Sequence, residues 1–349
     1  MSNQQTFLEA LQARGISRRS FLKFCAITTS SLALSAKEAR VFAAALAAAP
    51  RPTVIWLSFQ QCTGCSESLL RAFDIPDDSP PSVSIENLIL NIISLDYHET
   101  LQVAAGDRAE KSRKEAMDAG NYILIVDGSI PYGEKGETQF WSCAAGNSNV
   151  NTLQEAVSGA QLVIALGTCA TFGGIPAAYP NPSKASGYGE LVTKGVITGG
   201  PTYVNISGCP PMAAVITGTI AYYLANGAPA LDAFHRPAVY YGTGRDAHTV
   251  HDSCPRLPHW ERGEFAQSHG DVGARQGFCL LHLGCRGPQT SNACTRLGWN
   301  TDPKDGGLFK NSPTHSGHGC LGCSEPQFWD KSFDPVAKTF RSFYDVLGS

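Results

Sequence analysis

Twelve cysteines in 349 residues are too few for a small disulfide scaffold, where cysteine exceeds about 8–10% of a short chain. They are also too clustered to be ordinary core filler. Cys62 and Cys65 form a C-x-x-C pair, Cys169 closes Gly167-Thr168-Cys169, and Cys209 lies in Gly208-Cys209-Pro210-Pro211. Further along come His251-Asp252-Ser253-Cys254, Gly277-Phe278-Cys279, Gly284-Cys285-Arg286-Gly287-Pro288, Asn292-Ala293-Cys294 and Gly319-Cys320-Leu321-Gly322-Cys323. Thiolates are soft ligands, and sulfur-rich donor sets select iron–sulfur clusters or zinc. For the first four thiols a cubane cluster, a tetrahedral zinc and, at the C-x-x-C, a redox-active dithiol all stand open at this level. From Cys254 to Cys323, six cysteines and a nearby histidine are hard to account for as core.

These ligands need elements to carry them. Thr53–Leu57 reads as a short buried strand, followed by the Cys62–Cys65 loop and a helix from Ser66. Asn87–Leu95 is a second apolar run, and Asp107–Ala119 a surface helix stopped by Gly120. Tyr122–Val126 reads as a strand, Thr152–Ala160 as a helix, and Leu162–Leu166 and Tyr203–Ile206 as further strands. This alternation predicts an α/β domain with an open parallel sheet covered by helices on both faces. Parallel strands present their carboxyl ends at one edge, where open α/β sheets bind ligands. Cys62 and Cys65 follow the first strand, Cys169 follows Leu162–Leu166 and Cys209 follows Tyr203–Ile206, so four thiols are expected to converge there. After about Leu231, Gly, Pro, His and Cys become frequent and periodic runs vanish, which predicts a second domain formed around cofactors. No G-x-G-x-x-G follows the first strand and no G-x-x-x-x-G-K-[ST] occurs, so no nucleotide cofactor is indicated.

With 43% hydrophobic and 16% charged residues the chain can bury a substantial core. A formal net charge of −3 lacks the basic excess of a nucleic-acid binder. Ser17-Arg18-Arg19-Ser20-Phe21-Leu22-Lys23 precedes a moderately apolar, then Ala-rich stretch to Ala49. The arrangement reads as a twin-arginine export signal over 1–49, with cleavage among the small residues 43–49; the alternative is an amphipathic helix that happens to hold two arginines. Thr28, Thr29, Ser30 and Ser31 interrupt the run, which falls short of the ~20 residues that span a bilayer. Glu325, Asp330, Lys331, Asp334, Lys338 and Arg341 in the tail argue against a C-terminal anchor. A periplasmic protein exported already folded suits metal clusters better than disulfides.

Several of these stretches carry a resemblance. Val54-Ile55-Trp56-Leu57 leading to Cys62-Thr63-Gly64-Cys65-Ser66-Glu67-Ser68, Ile93 to Glu99, Gly167 to Gly174, Gly208-Cys209-Pro210-Pro211 and Gly317 to Glu325 resemble, in order, the small subunit of periplasmic nickel–iron hydrogenases. The resemblance spans essentially the whole chain. It implies a flavodoxin-like domain over 50–231 that binds a proximal [4Fe-4S] cluster through Cys62, Cys65, Cys169 and Cys209, facing a large-subunit partner. Over 232–349 it implies an irregular iron–sulfur domain with short helices. His251, Cys254, Cys279 and Cys285 match a distal [4Fe-4S] cluster with histidine in place of one thiolate. Cys294, Cys320 and Cys323 match a medial [3Fe-4S] cluster, with Pro313 where a fourth cysteine would be needed. His251 is taken over His248 because the pattern sets the ligand three residues before Cys254.

The implied function is electron transfer between a nickel–iron centre in the partner and an external cytochrome-type acceptor, with no catalytic metal site in this chain. Gly64 and Gly174 stand where the oxygen-tolerant branch of the family has extra cysteines, so the chain resembles the standard, oxygen-sensitive branch. Cys25 would leave with the export segment, and Cys143 reads as a small structural residue. Glu67 beside the cluster loop is either a proton relay or a solvated helix-start carboxylate. His98, His235, His259, His282, His315 and His318 read as hydrogen-bonded structural groups. The rivals are an independent one-cluster carrier sharing only the flavodoxin-like half, a structural zinc protein, and a thiol–disulfide enzyme.

Overall fold

The computed structural model describes residues 6–13, 15–70, 93–133, 143–144, 146–242, 249–299, 311–326, 328–329, 333–334 and 339–340. The chain divides into two units, Met1–Pro237 and Ala238–Ser349. The first is built on five parallel strands: β1 (Thr53–Ser58), β2 (Ser94–His98), β3 (Tyr122–Asp127), β4 (Ala160–Leu166) and β5 (Tyr203–Ile206). Their order is β2-β1-β3-β4-β5, the flavodoxin-like doubly wound arrangement whose direction switches between β1 and β3. Continuous apolar runs suit strands covered on both faces. Val54 to Leu57, all of β3 and the last five residues of β4 are indeed buried.

The sheet is covered by α4 (Gly64–Leu70), α5 (Asp107–Ala119), α6 (Asn149–Val157), α7 (Gly167–Phe172), α8 (Tyr188–Thr193) and α9 (Ala213–Asn226). α5 begins and ends where its sequence predicts, with Gly120 closing it at φ +68°. α6 runs three residues earlier than expected. The Ser148 hydroxyl accepts the Asn151 amide at 3.2 Å and so caps the helix upstream, while Ala160 already belongs to β4. Buried Arg113 of α5 bonds Glu110 at 2.9 Å and Glu155 of α6 at 3.1 Å, tying the two helices together.

Residues expected to form the export segment fold as α1 (Phe7–Gln12), α2 (Arg18–Ser31) and α3 (Ala36–Ala48), with α2 and α3 packed on each other and on α9. Phe7, Leu11, Phe21, Phe24, Cys25, Phe42 and Leu46 are buried there. Ser17 caps α2 by accepting the Ser20 amide at 3.1 Å, which leaves Arg18 and Arg19 exposed at its start. Among the described residues no helix is long and apolar enough to cross a membrane.

The second unit is irregular. Its helices are short: α10 (Ala238–Tyr241), α11 (Leu257–Glu261), α12 (Val272–Arg275) and α13 (Cys294–Leu297). One small core cluster joins Ala266, Leu280 and Leu283. Residues 87–92 of the second apolar run, His248 and the side chain of Cys143 lie outside the described residues.

Candidate metal centres

In the first unit the sheet edge brings four thiols together. Cys62 lies in the turn between β1 and α4, Cys65 in the first turn of α4, Cys169 in the first turn of α7 directly after β4, and Cys209 follows β5. The loops are tied to one another. Thr168 donates its amide to Gly208 O at 2.9 Å and accepts the Gly208 amide on Oγ1 at 2.9 Å. The Ser68 hydroxyl donates to Pro211 O at 2.5 Å, fixing α4 to the Cys209 loop. Gly167 at φ +83° leaves space for Cys65: a Cβ there would stand 2.5 Å from Cys65 Sγ.

Cys62 and Cys209 are exposed while Cys65 and Cys169 are half-buried, and their charged forms would repel one another. Burial, then Asp127 and Cys169, hold the Cys65 thiol far above its ordinary value. Burial and then Cys209 push Cys169 up to about 12, and burial with Cys62 raises Cys209. A metal core would relieve both the desolvation and the repulsion felt by Cys65, Cys169 and Cys209. Glu67 is exposed at the start of α4, beside the pair.

In the second unit His251, Cys254, Cys279 and Cys285 line one cavity. The non-atom space there amounts to about 380 Å³, part of it open to solvent. The His251 ring meets Trp260 edge-on at 5.0 Å. Cys285 Sγ accepts the Gly287 amide at 3.4 Å and the Cys320 amide at 3.2 Å. Burial, the largest cause, raises the Cys279 and Cys285 thiols, and nearby Arg256 pulls both back down.

Cys294 and Cys320 form the third group, each buried and raised chiefly by burial, to about 12 and about 11. Trp299 Nε1 donates to Cys294 Sγ at 3.4 Å, and the Gly322 amide to Cys320 Sγ at 3.4 Å. Cys323, half-buried, follows Cys320 by three residues. The bond from the Cys320 amide to Cys285 Sγ means that the second and third groups share a wall.

Residues 62–223 match the family described as NADH ubiquinone oxidoreductase, 20 Kd subunit. Residues 247–335 match the C-terminal family of the NiFe/NiFeSe hydrogenase small subunit. The periplasmic [NiFe] hydrogenase small subunit 1 of Nitratidesulfovibrio vulgaris is 42% identical, over 93% of this chain and 94% of its own length. The chain belongs to the nickel–iron hydrogenase small-subunit family. The uptake hydrogenase small subunit of Afipia carboxidovorans is 40% identical over 95% of this chain and 83% of its own length. Among solved structures, the [NiFeSe]-hydrogenase of Dm. baculatum has a TM-score of 0.65 at 28% identity, covering 84% of this chain and 100% of that one. This hydrogenase small subunit is therefore the electron-transfer subunit of an oxidoreductase that works as part of a heterodimer. The 20 Kd match alone would leave the one-cluster carrier standing; the second match, over 247–335, removes it.

The small subunit also holds site residues that the sequence did not reveal. Asp127 ends β3, buried against Cys65, and accepts Trp56 Nε1 at 3.3 Å; burial pushes its carboxyl up to about 6. Arg256 and Trp260 line the His251 cavity, and Trp299 reaches Cys294. Their one available signal is proximity in sequence to a ligand, which Asp127 lacks. Of the other histidines, His98 is buried between Ser66 and Trp56, and His259 bonds Glu264 at 2.5 Å.

Proposed function

We propose that this small subunit relays electrons between a nickel–iron site in a large-subunit partner and an external cytochrome-type acceptor, holding two [4Fe-4S] clusters and one [3Fe-4S] cluster. The proximal site is assigned to Cys62, Cys65, Cys169 and Cys209, the distal to His251, Cys254, Cys279 and Cys285, and the medial to Cys294, Cys320 and Cys323. One observation carries most of this reading: His251, Cys254, Cys279 and Cys285, distant in sequence, line a single cavity. A zinc ion needs its ligands ~2.0–2.3 Å from one point. A four-iron, four-sulfide core holds its thiols farther apart and is told from zinc by iron content and colour.

When bound, each cluster supplies a one-electron couple whose potential follows cluster type, charge and hydrogen bonding within roughly −700 to +450 mV. The chain's own residues do the rest. They hold the thiols in place, keep water from Cys294 and Cys320, and aim amide and indole N–H groups at Cys285, Cys294 and Cys320. Cys25 and Cys143 aside, every cysteine is used, so no set of four thiolates remains for nickel and iron. Arg18 and Arg19 assign the chain to twin-arginine export and the periplasm. Glu67, exposed at the start of α4, is either a proton relay at the subunit boundary or a solvated helix-start carboxylate: Glu67→Gln should slow hydrogen turnover without altering the cluster spectra in the first case and leave turnover unchanged in the second. With glycine at 64 and 174, turnover should stop under air.

Cys62→Ser tests the route. Hydrogen-dependent dye reduction by the heterodimer should be disabled while the distal cluster's spectrum persists; full activity in that variant would contradict the proposal.

A further inference from the structure

Arg256 is buried in the wall of the His251 cavity, two residues after Cys254 and at the entry to α11. Its guanidinium donates to backbone carbonyls: Nε to Thr314 at 2.9 Å, Nη1 to Phe278 at 2.8 Å and to Ala274 at 3.3 Å. Among the described residues no carboxylate pairs with it. A buried cation held only by carbonyl dipoles is costly, and an opposite charge beside it reduces that cost. The cavity it faces is lined by three thiols and an imidazole. A thiolate-ligated cluster there would supply that opposite charge, and one-electron reduction would make it more negative still.

The same three bonds join the Cys254 turn to the segment before Cys279 and to the loop of Thr314, which also lines the cavity. Arg256 therefore fixes the cavity's shape as well as its charge. We propose that Arg256 is the positioning and charge-compensating residue of the histidine-ligated site, stabilising its reduced form and raising its midpoint potential. This rests on the assignment of a cluster to His251, Cys254, Cys279 and Cys285. A fixed positive charge beside the site favours the form that carries one more electron, which raises the midpoint potential there.

The test is a potentiometric titration of the anaerobic heterodimer, followed by electron paramagnetic resonance with iron analysis, for wild type, Arg256→Gln and Arg256→Lys. Arg256→Gln should shift the distal midpoint potential downward while the proximal and medial midpoints stay in place, and Arg256→Lys should recover most of the shift. If the glutamine variant loses distal iron, retention of that iron by the lysine variant supports the charge role. Loss from both alike overturns it, as does a distal midpoint unchanged in Arg256→Gln at full iron content. Failure of the underlying assignment would show separately, in otherwise wild-type protein: His251→Cys would leave every cluster signal unaltered, and the proposal would fall with it.

Discussion

Gly167 shows how one residue type decides whether the proximal thiols can meet. Its φ of +83° is available to glycine at little cost, and any Cβ would collide with Cys65 Sγ at 2.5 Å. Gly167→Ala should therefore lower the iron content of the purified subunit by about four atoms while the far-ultraviolet dichroism of the sheet stays intact; full iron loading would show that the loop yields. Gly174 is similar, since a Cβ there would stand 2.6 Å from Cys169 Sγ. Among single residues the candidate ligands were the most legible part of the chain. Thiols and an imidazole in short glycine-bounded motifs have few other uses, and Cys62 through Cys323 announce themselves by spacing. Asp127 and Arg256 were not legible: an Asp-Gly or a Cys-Pro-Arg means little until the strand end or cavity wall that carries it is placed.

The elements follow from apolar runs long enough to be buried strands, which is why β1, β3, β4 and β5 were readable. α6 was misplaced because Ser148, outside its apolar stretch, sets its start. α7 and α8 are too short to show a helical period, and α9 is apolar over most of its length, so neither periodicity nor polarity marks a face. Two expectations belong to this scale. Arg113→Ala removes the clamp between α5 and α6 and should cost about 1–3 kcal/mol, read as a lower melting temperature; since Glu155 is half exposed, a loss above that range would mean a larger role for its pairing than solvent screening allows.

His98, at the end of β2, gives the second. Burial lowers its pKa from the ordinary 6.5 to about 4. Its Nδ1 lies 3.1 Å from the Thr100 amide and 3.3 Å from that of Leu101, bonds that an imidazolium could not accept. Between pH 6.5 and 4 the unfolded chain takes up a proton that the folded chain refuses. The contribution is complete above pH 6.5 and falls by up to ~3 kcal/mol as pH drops through the window. His98→Gln should flatten the acid-side decline in melting temperature; equal slopes for variant and wild type would contradict the assignment.

On the scale of the whole molecule, the two units divide the candidate ligands between a sheet edge that gathers them by topology and an irregular unit where they lie on loops and short helices. The α/β unit was legible because its topology follows general rules. The second was legible only as a string of ligands, since Ala266, Leu280 and Leu283 make a small core and little else there obeys a period. The packing of α2 and α3 on α9 was not foreseen, because an export segment carries no signal for what it rests on. Replacing Arg18 and Arg19 together with lysine should retain the assembled subunit in the cytoplasm; undiminished periplasmic activity would contradict twin-arginine export.

The central claim is that three iron–sulfur sites stand in this one chain. Iron analysis with electron paramagnetic resonance on the anaerobically purified heterodimer tests it most directly. Such material should contain about twelve irons per heterodimer, about eleven in this chain's clusters and one in the partner's nickel–iron site, and give a three-iron signal on oxidation. Zinc in place of iron in such material would contradict it.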